Sequence, residues 1–146
     1  MSAPPRPTHS GTFLVTSVTY NRKRLFQVVA NCELFLETLQ HYRREGHYRL
    51  HDFVVMPEHV HLLLTPQNIP LERAVGYIKG GFSRRLHSKA PVWQRGFTDR
   101  RARNREEFLS FRQYIRMNPV EGRLCESAED YKWSSAWKGW QRAVAG

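Results

Sequence analysis

The stretch His51-Asp52-Phe53-Val54-Val55-Met56-Pro57-Glu58-His59-Val60-His61-Leu62-Leu63-Leu64 decides how this chain is read. Two apolar, β-branched-rich arms flank the turn Met56-Pro57-Glu58, the pattern of an antiparallel hairpin with arms over residues 48–55 and 60–65. His59 and His61 stand two apart on the second arm, so both imidazoles point to one face, about 7 Å apart along it. Neutral imidazole is the commonest protein metal ligand, and two on one strand supply half of a divalent-metal site. The same pair also suits a polar strand face with no metal, and a motif this short does not separate the two.

Working outward, residues 12–19 (TFLVTSVT) read as a strand. Residues 27–45 place Val28, Cys32, Phe35, Leu36 and Leu39 near a 3.6 period and run into Gly46, a helix with its stop signal. Residues 70–88 repeat that pattern behind Pro70, a helix opener, and Gly80-Gly81 marks a kink within it. Residues 91–98 (PVWQRGFT) are a short extended segment, and residues 105–117 form the last helix, stopped by Pro119. The aromatic tail, residues 125–146, packs back on the domain. The order β-α-β-β-α-β plus a helix predicts an α+β, ferredoxin-like (RRM-like) fold: one antiparallel sheet with two helices on one face. The histidine strand is then central, and the other face is left for the last helix or a ligand. Residues 1–11 read as a disordered, proline-containing leader, and residues 12–146 as a single domain.

Twenty-three Lys and Arg against 13 Asp and Glu give a net charge of +10. Arginine supplies most of it, and its planar fork suits bidentate phosphate recognition. Such a balance points to a polyanion, nucleic acid or an acidic membrane surface. Arg22-Lys23-Arg24, Arg84-Arg85 and the cluster Arg95, Arg100, Arg101, Arg103 and Arg105 are the candidate DNA contacts, with Trp93 and Phe97 as rings on which bases stack. A solvated charged face with two core aromatics fits the same residues. Cys32 and Cys125 are too isolated for a disulfide framework or a Cys-based zinc site. With no secretory h-region and no apolar run of about 18 residues, a cytoplasmic protein without a membrane partner is expected.

In the last helix, Tyr114 and Asn118 lie four apart, on one face. Asn118 offers a carbonyl oxygen to a metal. Tyr114 offers a phenol, a weak nucleophile unless a metal polarises its target or a base takes its proton. A core tyrosine and a helix stop are the plain alternatives.

Val55-Met56-Pro57-Glu58-His59-Val60-His61-Leu62-Leu63, then Val92-Trp93-Gln94-Arg95-Gly96-Phe97, then the run from Tyr114 to Leu124, then Tyr131-Lys132-Trp133-Ser134-Ser135 follow in order. Jointly this resembles the single-tyrosine HUH transposases, and within them the REP-associated tyrosine transposases, over residues 12–135. The resemblance implies that His59 and His61 bind Mg²⁺ or Mn²⁺ and that Asn118 supplies the third, polar ligand. It implies that Tyr114 attacks a single-stranded DNA phosphate, leaving a 5′-phosphotyrosine and a free 3′-hydroxyl. Hairpins of extragenic palindromic repeats are the implied substrate, processed by a monomer or homodimer. Two readings from other classes stand beside it: a non-catalytic RRM-like nucleic-acid-binding module, and a His-x-His metal-dependent hydrolase using water.

Overall fold

The computed structural model describes residues 11–140. Strands β1 (Thr12–Val18), β2 (Tyr48–Val55), β3 (His59–Pro66) and β4 (Thr98–Ala102) form one antiparallel sheet in the order β2-β3-β1-β4. Helices α1 (Val29–Arg44), α2 (Leu71–Leu86) and α3 (Arg105–Glu121) complete it. The ferredoxin-like order read from the sequence is therefore the observed one, with the histidine strand β3 between β2 and β1.

Alternation along β3 divides the core. Val60, Leu62 and Leu64 face α1 and α2, meeting Phe35, Leu39 and Phe82. Leu63 points the other way, and with Leu14 and Val54 it packs beneath Phe111 and Ile115 of α3. The molecule thus has three layers, and α3 closes the second face of the sheet. His59 and His61 share the parity of Leu63, so both look toward α3.

Three local readings are corrected, and two terminal ones lie outside what is described. The fourth strand is not residues 91–98 but Thr98–Ala102 (TDRRA), inside the basic cluster. Backbone pairing with β1 is enough to hold an edge strand whose side chains stay largely in solvent. Gly80-Gly81 does not interrupt α2; a Cβ at Gly81 would come within 2.6 Å of the Tyr42 ring, so the glycine is set by the close approach of α1. Pro119 does not stop α3, which continues to Glu121 with Pro119 buried inside it. A proline there costs the hydrogen bond its N–H would give to the Ile115 carbonyl, and the burial of its ring offsets that loss. Finally, residues 1–10 of the expected leader and residues 141–146 of the tail lie outside the described residues.

The segment after α3 is tied to β2. Val55 N–H donates to the Trp133 carbonyl at 2.8 Å, and Ser135 N–H donates to that of Phe53 at 3.0 Å. Buried Asp52 accepts from Arg112 Nε and from Ser135 Oγ, each at 2.6 Å, joining β2, α3 and this segment.

Candidate active site

Register places the site. Pairing of β1 with β3 sets Thr16 opposite His61, and Thr16 Oγ1 lies 2.8 Å from His61 Nδ1. Burial, and secondarily the neighbouring His59, push the His61 pKa down to about 3, so the ring is neutral around pH 7. With its proton on Nδ1 directed to Thr16, it keeps the Nε2 lone pair for a ligand. The turn before β3 does the same for its neighbour: His59 Nδ1–H donates to Glu58 Oε1 at 2.7 Å. A metal-binding histidine is commonly oriented in this way, by a carboxylate or oxygen on its other nitrogen.

The two imidazoles are 4.8 Å apart between ring centroids. From α3, Asn118 brings its Oδ1 to 3.3 Å from His59 Nε2. These two atoms are within hydrogen-bond reach of each other, and with His59 Nδ1 engaged by Glu58 the same two atoms can converge on one ion. Donors adjacent on one ion with bonds near 2.1 Å sit roughly 3.0–3.4 Å apart, so the pair has the spacing of a shared ion. Among the described residues no three His, Cys, Asp or Glu come together as a metal cluster. The donor set is therefore two imidazoles and one amide oxygen, which fits a divalent ion with positions left open for phosphate or water.

One helical turn before Asn118, the Tyr114 ring lies 5.1 Å from that of His61. Unlike His61, which is 4% exposed, Tyr114 is 46% exposed. It borders a cleft of about 570 Å³ floored by Leu14, Thr16 and His61, and walled by Thr98 and Arg100 of β4 and by Glu107 and Ser110 of α3. The Arg100 guanidinium stacks over Phe111 at 5.1 Å, which steadies a cation beside the phenol.

The other basic residues scatter. Arg22 leans on Glu58 at 3.7 Å and is largely exposed; Lys23 and Arg24 follow it, both exposed. Arg95 and Phe97 line a smaller cavity beside the cleft. Arg101 points from the opposite side of β4, next to Gly11. Arg105, exposed, begins α3. Arg103 is engaged by Glu107 at 2.7 Å, an ion pair that holds the Glu107 carboxyl down at about 2. Arg84, Arg85 and Trp93 are engaged within the fold, away from the cleft lining. Arg84 and Arg85 sit on Tyr42, on the helical layer across the sheet from the cleft. Trp93 is no free platform: its ring packs with Phe26, Phe35 and Phe82 at 5.7–6.1 Å, and its indole N–H donates to the Lys79 carbonyl.

Sequence reasoning missed Glu58 and Thr16. An acid adjacent to His59 was a visible signal for the first. The second needs the β1–β3 register, which no local pattern encodes.

Residues 9–118 match the sequence model of IS200-like transposases. The fold is similar to the structure of a REP-associated tyrosine transposase bound to a REP hairpin, with a TM-score of 0.79 and 24% identity over 99% of this chain and 86% of that one. It is also similar to a crystal structure of a candidate transposase from Deinococcus radiodurans R1, with a TM-score of 0.54 and 21% identity over 79% of this chain and 95% of that one. No curated protein matches the sequence. No helix among the described residues is long and apolar enough to cross a membrane.

Proposed function

The chain belongs to the IS200-like transposase family, and from that membership we propose that it cuts and rejoins single-stranded DNA through a phosphotyrosine on Tyr114. One observation carries the reading: an exposed phenol stands 5.1 Å from the inner of two paired imidazoles, at the mouth of an open cleft.

In the proposed reaction the Tyr114 oxygen attacks the phosphorus of a strand laid in the cleft. The new phosphorus–oxygen bond forms as the bond to the 3′ oxygen breaks. The phenolic proton passes to solvent, and the departing oxygen takes one up to become a 3′-hydroxyl. The segment downstream of the cut stays on the tyrosine through its 5′-phosphate, as a phosphodiester, so attack by a 3′-hydroxyl regenerates the phenol and reseals DNA without a nucleotide cofactor. His59, His61 and Asn118 would hold Mg²⁺ or Mn²⁺, which when bound neutralises charge on the phosphate oxygens. Glu58 and Thr16 keep the two rings aimed. Arg100, against Phe111, offers a fork to the same phosphate group.

Hairpin DNA is the proposed substrate. The REP hairpin bound by the similar structure supports it, as do the exposed cations Lys23 and Arg24 on the connection after β1. Against an RRM-like module stands α3, which covers Leu14, Val54 and Leu63 on the second sheet face; an RRM stacks bases on an open sheet surface. A hydrolase using water leaves no covalent product, which makes the adduct the deciding test. Hairpin oligonucleotides with an unpaired flank, drawn from inverted repeats beside the gene, are incubated with protein and Mn²⁺ and resolved on a denaturing gel. Wild type gives a protein–DNA adduct and Tyr114→Phe gives none, while binding of uncut DNA is retained. Cleavage by Tyr114→Phe, or cleavage by wild type without adduct, overturns the reading.

A further inference from the structure

Beside the cleft lies a second cavity of about 210 Å³, lined by Thr16, Val18, Thr98 and the loop Gln94-Arg95-Gly96-Phe97. We propose that it is a nucleobase pocket, receiving the base of a nucleotide adjacent to the phosphate that Tyr114 attacks; it rests on the cleavage reading above.

Position is the first reason. Thr16 and Thr98 line both cavities, so the two are continuous across β1 and β4. Passing from Leu14 and Thr16 in the cleft to Thr16 and Val18 in the pocket is one side-chain step on a strand face, about 7 Å. That is the reach of one stretched nucleotide. A strand with a phosphate at Tyr114 therefore delivers a neighbouring base here.

Size and chemistry agree. The volume equals roughly seven waters at about 30 Å³ each, room for a single flat base and no more. Phe97 gives a ring on the wall, the kind of surface on which bases stack. Gln94 and Arg95 carry the amide and guanidinium that read base edges. Both backbone groups of Gln94 are already committed, its N–H to the Val18 carbonyl and its carbonyl to Lys79, so ligand contact falls to its side chain.

The wall is also built to hold its shape. Lys79 of α2 reaches across to donate to the carbonyls of Gln94 at 3.2 Å and Gly96 at 2.6 Å. Trp93, immediately before the loop, is anchored in the aromatic core and donates its indole N–H to the Lys79 carbonyl. Gly96 turns the loop at a φ of +78°, open to glycine without cost. A loop fixed at three points presents Gln94 and Phe97 as a preformed surface, the condition for discriminating one base from another.

The test uses the whole chain and a pool of hairpin oligonucleotides whose unpaired flank is randomised. Covalent adducts formed in Mn²⁺ are purified under denaturing conditions and their DNA is sequenced. Wild type is expected to enrich one base at a single position next to the cut by tenfold or more. Gln94→Ala and Phe97→Leu are expected to reduce that enrichment at least fivefold at that position alone, with adduct still formed and the far-ultraviolet spectrum unchanged. Equal enrichment in the variants and wild type overturns the pocket while the cleavage reading stands. Absence of adduct from wild type overturns the cleavage reading, and the pocket's role falls with it.

Discussion

Replacing Glu58 by glutamine isolates what the carboxylate on His59 contributes. The two side chains have the same size, and the turn is held by bonds the change does not touch: Thr19 N–H and Thr19 Oγ both donate to the Glu58 main-chain carbonyl, at 2.9 and 3.0 Å. What is lost is charge on the acceptor 2.7 Å from His59 Nδ1. A hydrogen bond to a charged partner contributes about 1.5–3 kcal/mol and a neutral one about 1. Arg22, 3.7 Å away and mostly in solvent, changes this little. The difference is about 1.4 kcal/mol, or about tenfold in affinity for an ion on His59, within the range for removing such supporting partners. Mn²⁺ titration of DNA-free protein, followed by paramagnetic resonance, should show Glu58→Gln binding about tenfold more weakly than wild type, with full adduct yield recovered at high Mn²⁺. Mn²⁺ affinity within twofold of wild type would refute both the orientation of His59 and its place among the ligands.

Three further outcomes follow from packing and charge. Arg112→Ala leaves the buried Asp52 carboxylate with only Ser135, and should cost about 3 kcal/mol in urea unfolding; adding Asp52→Asn should recover part of it, and a purely additive double variant would contradict the pairing. Gly80→Ala and Gly81→Ala should have opposite signs: the first meets only the flexible end of Arg84 at 3.4 Å and gains up to about 1 kcal/mol of helix propensity, whereas the second drives into the Tyr42 ring and should lower the thermal midpoint. For single-stranded DNA, Arg100→Ala should flatten the salt dependence by about 0.7 in log–log slope, the release from one phosphate. Arg103→Ala should change it far less, because Glu107 already neutralises that guanidinium; equal slopes for the two would mean that the ion pair opens on binding.

The fold was legible where side-chain period and burial coincide. Val60, Leu62 and Leu64 alternate with His59, His61 and Leu63, and this alternation by itself assigns the histidines to the face opposite the α1–α2 core. It fails where backbone pairing alone makes the element. Thr98–Ala102 carries no apolar alternation because an edge strand with exposed side chains needs none. Trp93 misled for the converse reason: an indole between Val92 and Gln94 looks the same in sequence whether it faces solvent or Phe26, Phe35 and Phe82. Within the site, Tyr114 and Asn118 were found through helical spacing, and the i, i+4 pairing of Arg103 with Glu107 was equally available from spacing. Thr16 was not, since 45 residues separate it from His61 and only the folded sheet closes that distance.

The two margins of the sheet are guarded in different ways, with a bearing on how the protein behaves at high concentration. Bare strand edges invite identical molecules to stack edge to edge into insoluble ribbons. Along β2, the short ribbon around Ser134 occupies the free hydrogen-bonding groups of Phe53 and Val55, and the irregularity between Leu50 and Asp52 spoils the flat template nearer the start. Along β4, Arg100 and Arg101 outnumber Asp99 on a strand only five residues long, so two such edges meeting carry net positive charge and repel. Arg100 and Arg101 thus also keep copies of the chain apart, and a polyanion seated on β4, as proposed, would remove that repulsion.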